Sequence, residues 1–134
     1  MKITRSKTFK AIATLGLKRG YTEEVISIND FKEKLAIAQQ RVHEQFNIQL
    51  STKVSPCSIV FLGQDEPSVD LSFIQYPKFP NEESQLKEGI LMLVENLMKS
   101  LDQNRVVIVF EDEIFMLEED GDLIDPGIRY KNSN

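Results

Sequence analysis

Two segments of helical periodicity, each flanked by runs of strand periodicity, constrain this chain more than any other feature. Phe31, Leu35, Ala38, Val42 and Phe46 recur at spacings of four and three. That is the one-sided apolar stripe of a helix packed on a core. Lys32, Glu33, Gln39, Arg41 and Glu44 fall largely off it. Leu86, Ile90, Leu93, Val94, Leu97 and Leu101 form a second, denser stripe. Ser27 with Asp30 three residues on can open the first helix, Asn29 being an equally good cap, and Asn47 can stop it. Asn81 reads as the cap of the second, with Glu82 and Glu83 where the helix dipole favours negative charge. Gly89 sits inside the second stripe at a cost of about 1 kcal/mol relative to alanine. A close approach of helix to sheet would account for it.

The strand segments alternate with period two. From Phe9 to Leu17, Phe9, Ala11, Ala13, Leu15 and Leu17 share one face, as in a half-buried strand. Residues 54–62 contain the continuous apolar run Ile59-Val60-Phe61-Leu62, closed by Gly63. Being short and β-branched, it predicts a central strand buried on both faces. Residues 64–68 read as a turn. Val69 to Tyr76 alternates again until Pro77 and Pro80, which cannot donate to a ladder. Arg105 to Phe110 is a strand, and Ile114 to Leu117 another, joined by the acidic turn Glu111-Asp112-Glu113. Asp120-Gly121 is a hairpin-type turn signal, with a further short strand around Leu123-Ile124 left open.

The order strand, helix, strand, strand, helix, strand predicts an α+β protein of ferredoxin-like (split βαβ) topology. Two helices cover one face of an antiparallel sheet, and a C-terminal hairpin extends it. The length of 134 residues fits a single domain over 1–134, with its core over about 7–125 and a tail over 126–134. No helix remains for the second face, where Ile12, Ile74 and Tyr76 fall together with alternate residues of 59–62 and 106–110. A face this apolar predicts packing against a second copy, a homodimer by default symmetry.

Charge is segregated along the chain. Residues 1–20 carry Lys2, Arg5, Lys7, Lys10, Lys18 and Arg19 and no acid, whereas residues 106–125 are rich in acids and hold no Lys or Arg. The predicted topology makes the first and fourth strands neighbours, so the two charged ends are expected to meet. The net charge of −5 disfavours nonspecific nucleic-acid binding. An RRM-like sheet would stack bases on aromatics within a basic, glycine-containing strand. The strand at 69–76 has neither, and carries Asp70. The single cysteine permits no internal disulfide, the basic start is followed by no apolar run, and no stretch approaches the ~20 apolar residues that cross a bilayer. The expected location is cytoplasmic, without membrane or nucleic-acid partners.

Residues with chemical potential are scattered. His43, the only histidine, sits at the helix edge and cannot form a triad or metal site by itself. Cys57 lacks a nearby base or helix N-terminus and reads as a small buried filler. The acids at 111–125 lack the register and closing Glu of a calcium loop. Gly16-Leu17-Lys18-Arg19-Gly20 is a basic loop rich in backbone freedom that could hold a phosphate or carboxylate, but without the ending of a P-loop or an immediate helix it reads first as a structural turn. Tyr76-Pro77-Lys78-Phe79-Pro80 places aromatics and a lysine on a stiff connection, lining a pocket or partner groove, unless Phe79 staples the second helix.

Lys18, Arg19, Tyr21, Tyr76 and Lys78 are therefore the candidate ligand-binding residues, with no catalytic residue, metal site or cofactor assigned. The sequence favours a non-catalytic oligomeric assembly or binding module. The alternative is a small-ligand-sensing domain or a small ferredoxin-like dimeric enzyme with a pocket near the first strand–helix loop. The balance leans away from catalysis, because no His, Cys or paired acids converge. The resemblance is to a fold, and fold does not specify function.

Overall fold

A computed structural model describes residues 1–119. In chain order the elements are β1 (Lys10–Gly16), α1 (Ile28–Phe46), β2 (Lys53–Phe61), β3 (Gln64–Ile74), α2 (Glu83–Ser100), β4 (Arg105–Phe110) and β5 (Ile114–Glu118). All neighbouring strands pair antiparallel in one sheet of order β2-β3-β1-β4-β5. The first four strands take the ferredoxin-like arrangement, and β5 adds the hairpin at the β4 edge. The turn signal at 120–121, the strand left open at 123–124 and the tail at 126–134 lie outside the described residues.

The core forms where the helical stripes meet one face of the sheet. Ala11, Ala13 and Leu15 of β1, Val69, Leu71 and Phe73 of β3, and Val106, Ile108 and Phe110 of β4 are buried. Phe31, Leu35, Ala38 and Val42 of α1 and Leu86, Ile90, Leu93, Val94 and Leu97 of α2 cover them. The α1 caps follow the sequence signals. The Ser27 hydroxyl accepts from the Asp30 amide at 3.1 Å, and Asn47 stops the helix in the left-handed region with φ 56°, which Asn tolerates.

Several expectations are corrected. Helix α2 is capped at Glu82, not Asn81, with no side-chain hydrogen bond to the cap. Its approach is set instead by Gln75, whose amide donates to the Asn81 carbonyl at 2.8 Å and accepts from the Asn81 amide at 2.9 Å. Phe79 is 60% exposed and stacks on Tyr76, so it does not staple the helix. Gly89 faces α1 and the segment after it, not the sheet: a Cβ there would lie 3.4 Å from Val42 Cγ1 and 3.6 Å from Leu50 Cδ1. Those are ordinary contact distances at a helical backbone, so Gly89→Ala is expected to raise stability by up to about 1 kcal/mol. Thermal unfolding checks it, as an increase of a few degrees in Tm.

The largest correction concerns residues 59–68. Ile59-Val60-Phe61 ends edge strand β2, Leu62 follows in the turn, and the run is exposed, Phe61 at 70% and Leu62 at 88%. Residues 64–68 continue β3 rather than forming a turn. Ile59 pairs with Glu66, Val60 with Asp65 and Phe61 with Gln64, while the β1 ladder on β3 ends at Gly16 and Ser68. The β2–β3 hairpin thus outruns the sheet. A continuous apolar run signals two-sided contact but does not say whether that contact lies within the chain.

The charged ends do not pair as expected among the described residues. Strands β1 and β4 are neighbours, but the acidic β4–β5 turn binds α2. Lys87 Nζ lies 3.1 Å from Asp112 Oδ1 and 2.7 Å from Glu113 Oε2. Its hydrogen bond to Asp112 lowers that carboxyl's pKa, and the bond to Glu113, with a smaller one to Asp112, raises that of Lys87. A depressed carboxyl stabilises the fold above its unfolded pKa of about 3.9, and that contribution is lost as pH falls through the folded value. Lys87→Met is therefore expected to flatten the decline of stability below about pH 4. Urea titrations from pH 7 down to pH 2.5 check it, and an unchanged pH slope would contradict it.

Candidate functional site

The candidate residues separate to opposite ends of the sheet. Strand β1 ends toward Lys18, Arg19 and Tyr21, and antiparallel β3 ends toward Tyr76 and Lys78. Each end carries a cleft.

The cleft at the β1–α1 loop has a volume of about 630 Å³ and is lined by Lys18, Tyr21, Glu23, Asp65, Glu66 and Arg105, among others. Gln103 ties the loop down, its amide donating to the Lys18 carbonyl at 2.6 Å. The bases there are already engaged. Lys18 Nζ lies 3.1 Å from Glu23. Arg19 lies 3.0 Å from Glu24 and 3.1 Å from Asp102, and those bonds, Asp102 first, raise its pKa. Arg105 pairs with Glu118 at 3.0 Å. Glu23, Glu24, Asp102 and Glu118 offset these bases, so an anion would meet neutralised cations.

The second cleft lies where α1 ends and β3 hands over to α2. It measures about 920 Å³ and is lined by His43, Asn47, Ile74, Tyr76, Phe79 and Asn81, together with parts of the 49–53 segment, Ser72 and Leu86. The Tyr76 and Phe79 rings stack with centroids 5.8 Å apart and planes at 11°. Pro77 and Pro80 stiffen the connection that holds them. Lys78 sits over Phe79 at 5.8 Å, so its ammonium supports the aromatic wall. Asn47 reaches the cleft through its left-handed cap, and Asn81 through the Gln75 clamp. His43 Nδ1 is buried without a hydrogen-bond partner among the described residues. A largely apolar cleft with a few convergent polar groups is the ordinary form of a small-molecule site.

Of the sequence candidates, Lys18 and Tyr21 line one cleft and Tyr76 the other; Arg19 and Lys78 stand beside them. Sequence reasoning did not bring His43, Asn47 or Asn81 to Tyr76. Asn47 and Asn81 looked like helix caps, and only the fold shows that the end of α1 and the start of α2 lie at the same end of the sheet. Cys57 is exposed, not a buried filler, because β2 is an edge strand. Desolvation, followed by the Asp70 carboxylate, raises its pKa, which disfavours a thiolate. No group of three or more potential metal ligands occurs among the described residues, and no helix there is long and apolar enough to cross a membrane.

The fold defines a ferredoxin-like α+β protein. Among solved structures it is similar to a phage SAM lyase in complex with S-methyl-5'-thioadenosine, with a TM-score of 0.64 and 16% identity over 89% of this chain and 95% of that one. The phage SAM lyase in its apo state matches with a TM-score of 0.64 and 15% identity over 86% and 92%. At such identity the likeness shows the fold. No protein-family model and no curated protein matches the chain.

Proposed function

We propose that this protein binds an adenosine-bearing small molecule in the aromatic cleft formed by Tyr76, Phe79, His43, Asn47 and Asn81. The observation that carries the reading is the stacked Tyr76–Phe79 pair in a cleft of about 920 Å³. Nucleobases stack on aromatic faces, and side-chain amides suit their hydrogen-bonding edges. The ligand class is suggested by the phage SAM lyase in complex with S-methyl-5'-thioadenosine. Calorimetric titration with S-methyl-5'-thioadenosine and with S-adenosylmethionine tests it. Saturable one-site binding of either supports the reading, and no heat or shift in Tm at millimolar ligand contradicts it.

A second reading, lyase activity on S-adenosylmethionine, is favoured by the whole-chain likeness to the phage enzyme. Incubation with S-adenosylmethionine and detection of released S-methyl-5'-thioadenosine by mass spectrometry decides between a binding module and an enzyme.

We also propose that the protein self-associates through its open sheet face. Ile12, Ile74, Val107, Val109, Ile114 and Met116 are all exposed there. Register makes them one patch, Ile12 opposite Val109, Val109 opposite Ile114 and Val107 opposite Met116.

A further inference from the structure

We infer that the β2–β3 hairpin tip, Ile59–Gly63, is a docking arm that seats on the open sheet face of a second copy of this chain. The inference rests on the self-association reading above and adds the element that makes the contact. The Leu17 amide donates to the Pro67 carbonyl at 2.9 Å, and beyond that bond the two strands pair only with each other. A two-stranded ribbon with no packed face is marginal in water. This one projects roughly 10 Å at about 3.3 Å per residue and carries Ile59, Val60, Phe61 and Leu62, exposed by 43, 68, 70 and 88%.

The turn itself argues for selection of the side chain at the tip. Leu62 has φ 50° and Gly63 φ 85°, the paired positive angles of a tight hairpin turn that favours Asn-Gly. Leucine at that position is strained and apolar at once. Such an outlier points to a role away from the chain's own fold.

Area and charge identify the occupant. Arm and open face together expose on the order of 1,000 Å² of apolar side chain, above the ~800 Å² per partner of a standard interface. The ribbon carries Asp65 and Glu66, and the open face is flanked by Lys10, opposite Ile74, and Lys53, opposite Ser72. None of these four forms an ion pair among the described residues. An acidic, apolar arm thus complements a basic-edged, apolar face on the same molecule, which is what self-assembly requires. Ile74, Ser72 and Lys53 also line the aromatic cleft, so a seated arm borders that site.

Native mass spectrometry and sedimentation of the full chain test this at micromolar concentration. The wild type is expected to be oligomeric. Leu62→Asn suits the turn and should fold at least as well, yet weaken association at least tenfold. Phe61→Asp in the arm and Val109→Lys on the face should each be monomeric, and their mixture should form a complex through the one intact arm and the one intact face. Oligomers retained by Leu62→Asn and Phe61→Asp, with Val109→Lys monomeric, would overturn the arm while leaving face association standing. A monomeric wild type would overturn both, and circular dichroism confirms that each variant is folded.

Discussion

Phe31→Ala is expected to lower the unfolding free energy by about 3–5 kcal/mol. Phe31 is fully buried in the first turn of α1, one residue after the amide that the Ser27 hydroxyl caps. Removing the ring leaves a cavity where helix and sheet meet, and close-packed surroundings collapse only partly into it. A domain of this size with ordinary stability of about 5–15 kcal/mol would lose a large fraction of it. The expected fall in Tm is about 10–20 °C, read by calorimetry. A loss below about 1 kcal/mol would mean that α1 is not docked on the sheet as described.

Tyr76→Ala is expected to weaken S-methyl-5'-thioadenosine binding by about 1–3 kcal/mol, a factor of about 5 to 150, the usual contribution of one base stacked on an aromatic ring. Tyr76 is 48% exposed and lies outside the hydrophobic core, so Tm should hardly move. Tyr76→Phe keeps the ring and should keep most of the affinity. Lys18→Ala, in the other cleft, should leave affinity unchanged. Equal losses in Tyr76→Ala and Lys18→Ala would place the ligand elsewhere.

Much of the fold was legible because burial here follows periodicity. Phe31, Leu35, Ala38 and Val42 are one stripe in the sequence and one buried face in the structure, and Ala11, Ala13 and Leu15 alternate out of water as their spacing requires. The order of these segments leads to the ferredoxin-like topology. The exposed end of the β2–β3 hairpin was not legible, since Ile59–Leu62 has the composition of a central strand and lies on an edge. Composition reports the wish to be buried, and register alone reports whether the same chain supplies the cover. The charge layout misled for a related reason. Lys87, inside the second stripe's segment, comes closer to Asp112 and Glu113 than the N-terminal bases do, and sequence distance gives no warning of it.

The candidate site was legible only in part. Tyr76 and Phe79 stood out as aromatics that each precede a proline, and the structure stacks them. His43, Asn47 and Asn81 reach the same cleft from elements that are distant in sequence. The basic loop at 16–20 drew attention through its charge, but Glu23, Glu24 and Asp102 neutralise it. Unpaired charge in a sequence is a weak pointer to an anion site until its partners are placed.

The most direct measurement is a ¹⁵N–¹H correlation titration of the full chain with S-methyl-5'-thioadenosine. The account predicts saturable shifts concentrated at Asn47, residues 49–53 and residues 74–81. Absence of shifts at millimolar ligand, or shifts confined to residues 18–23, 64–67 and 103–105 at the opposite end of the sheet, would contradict it.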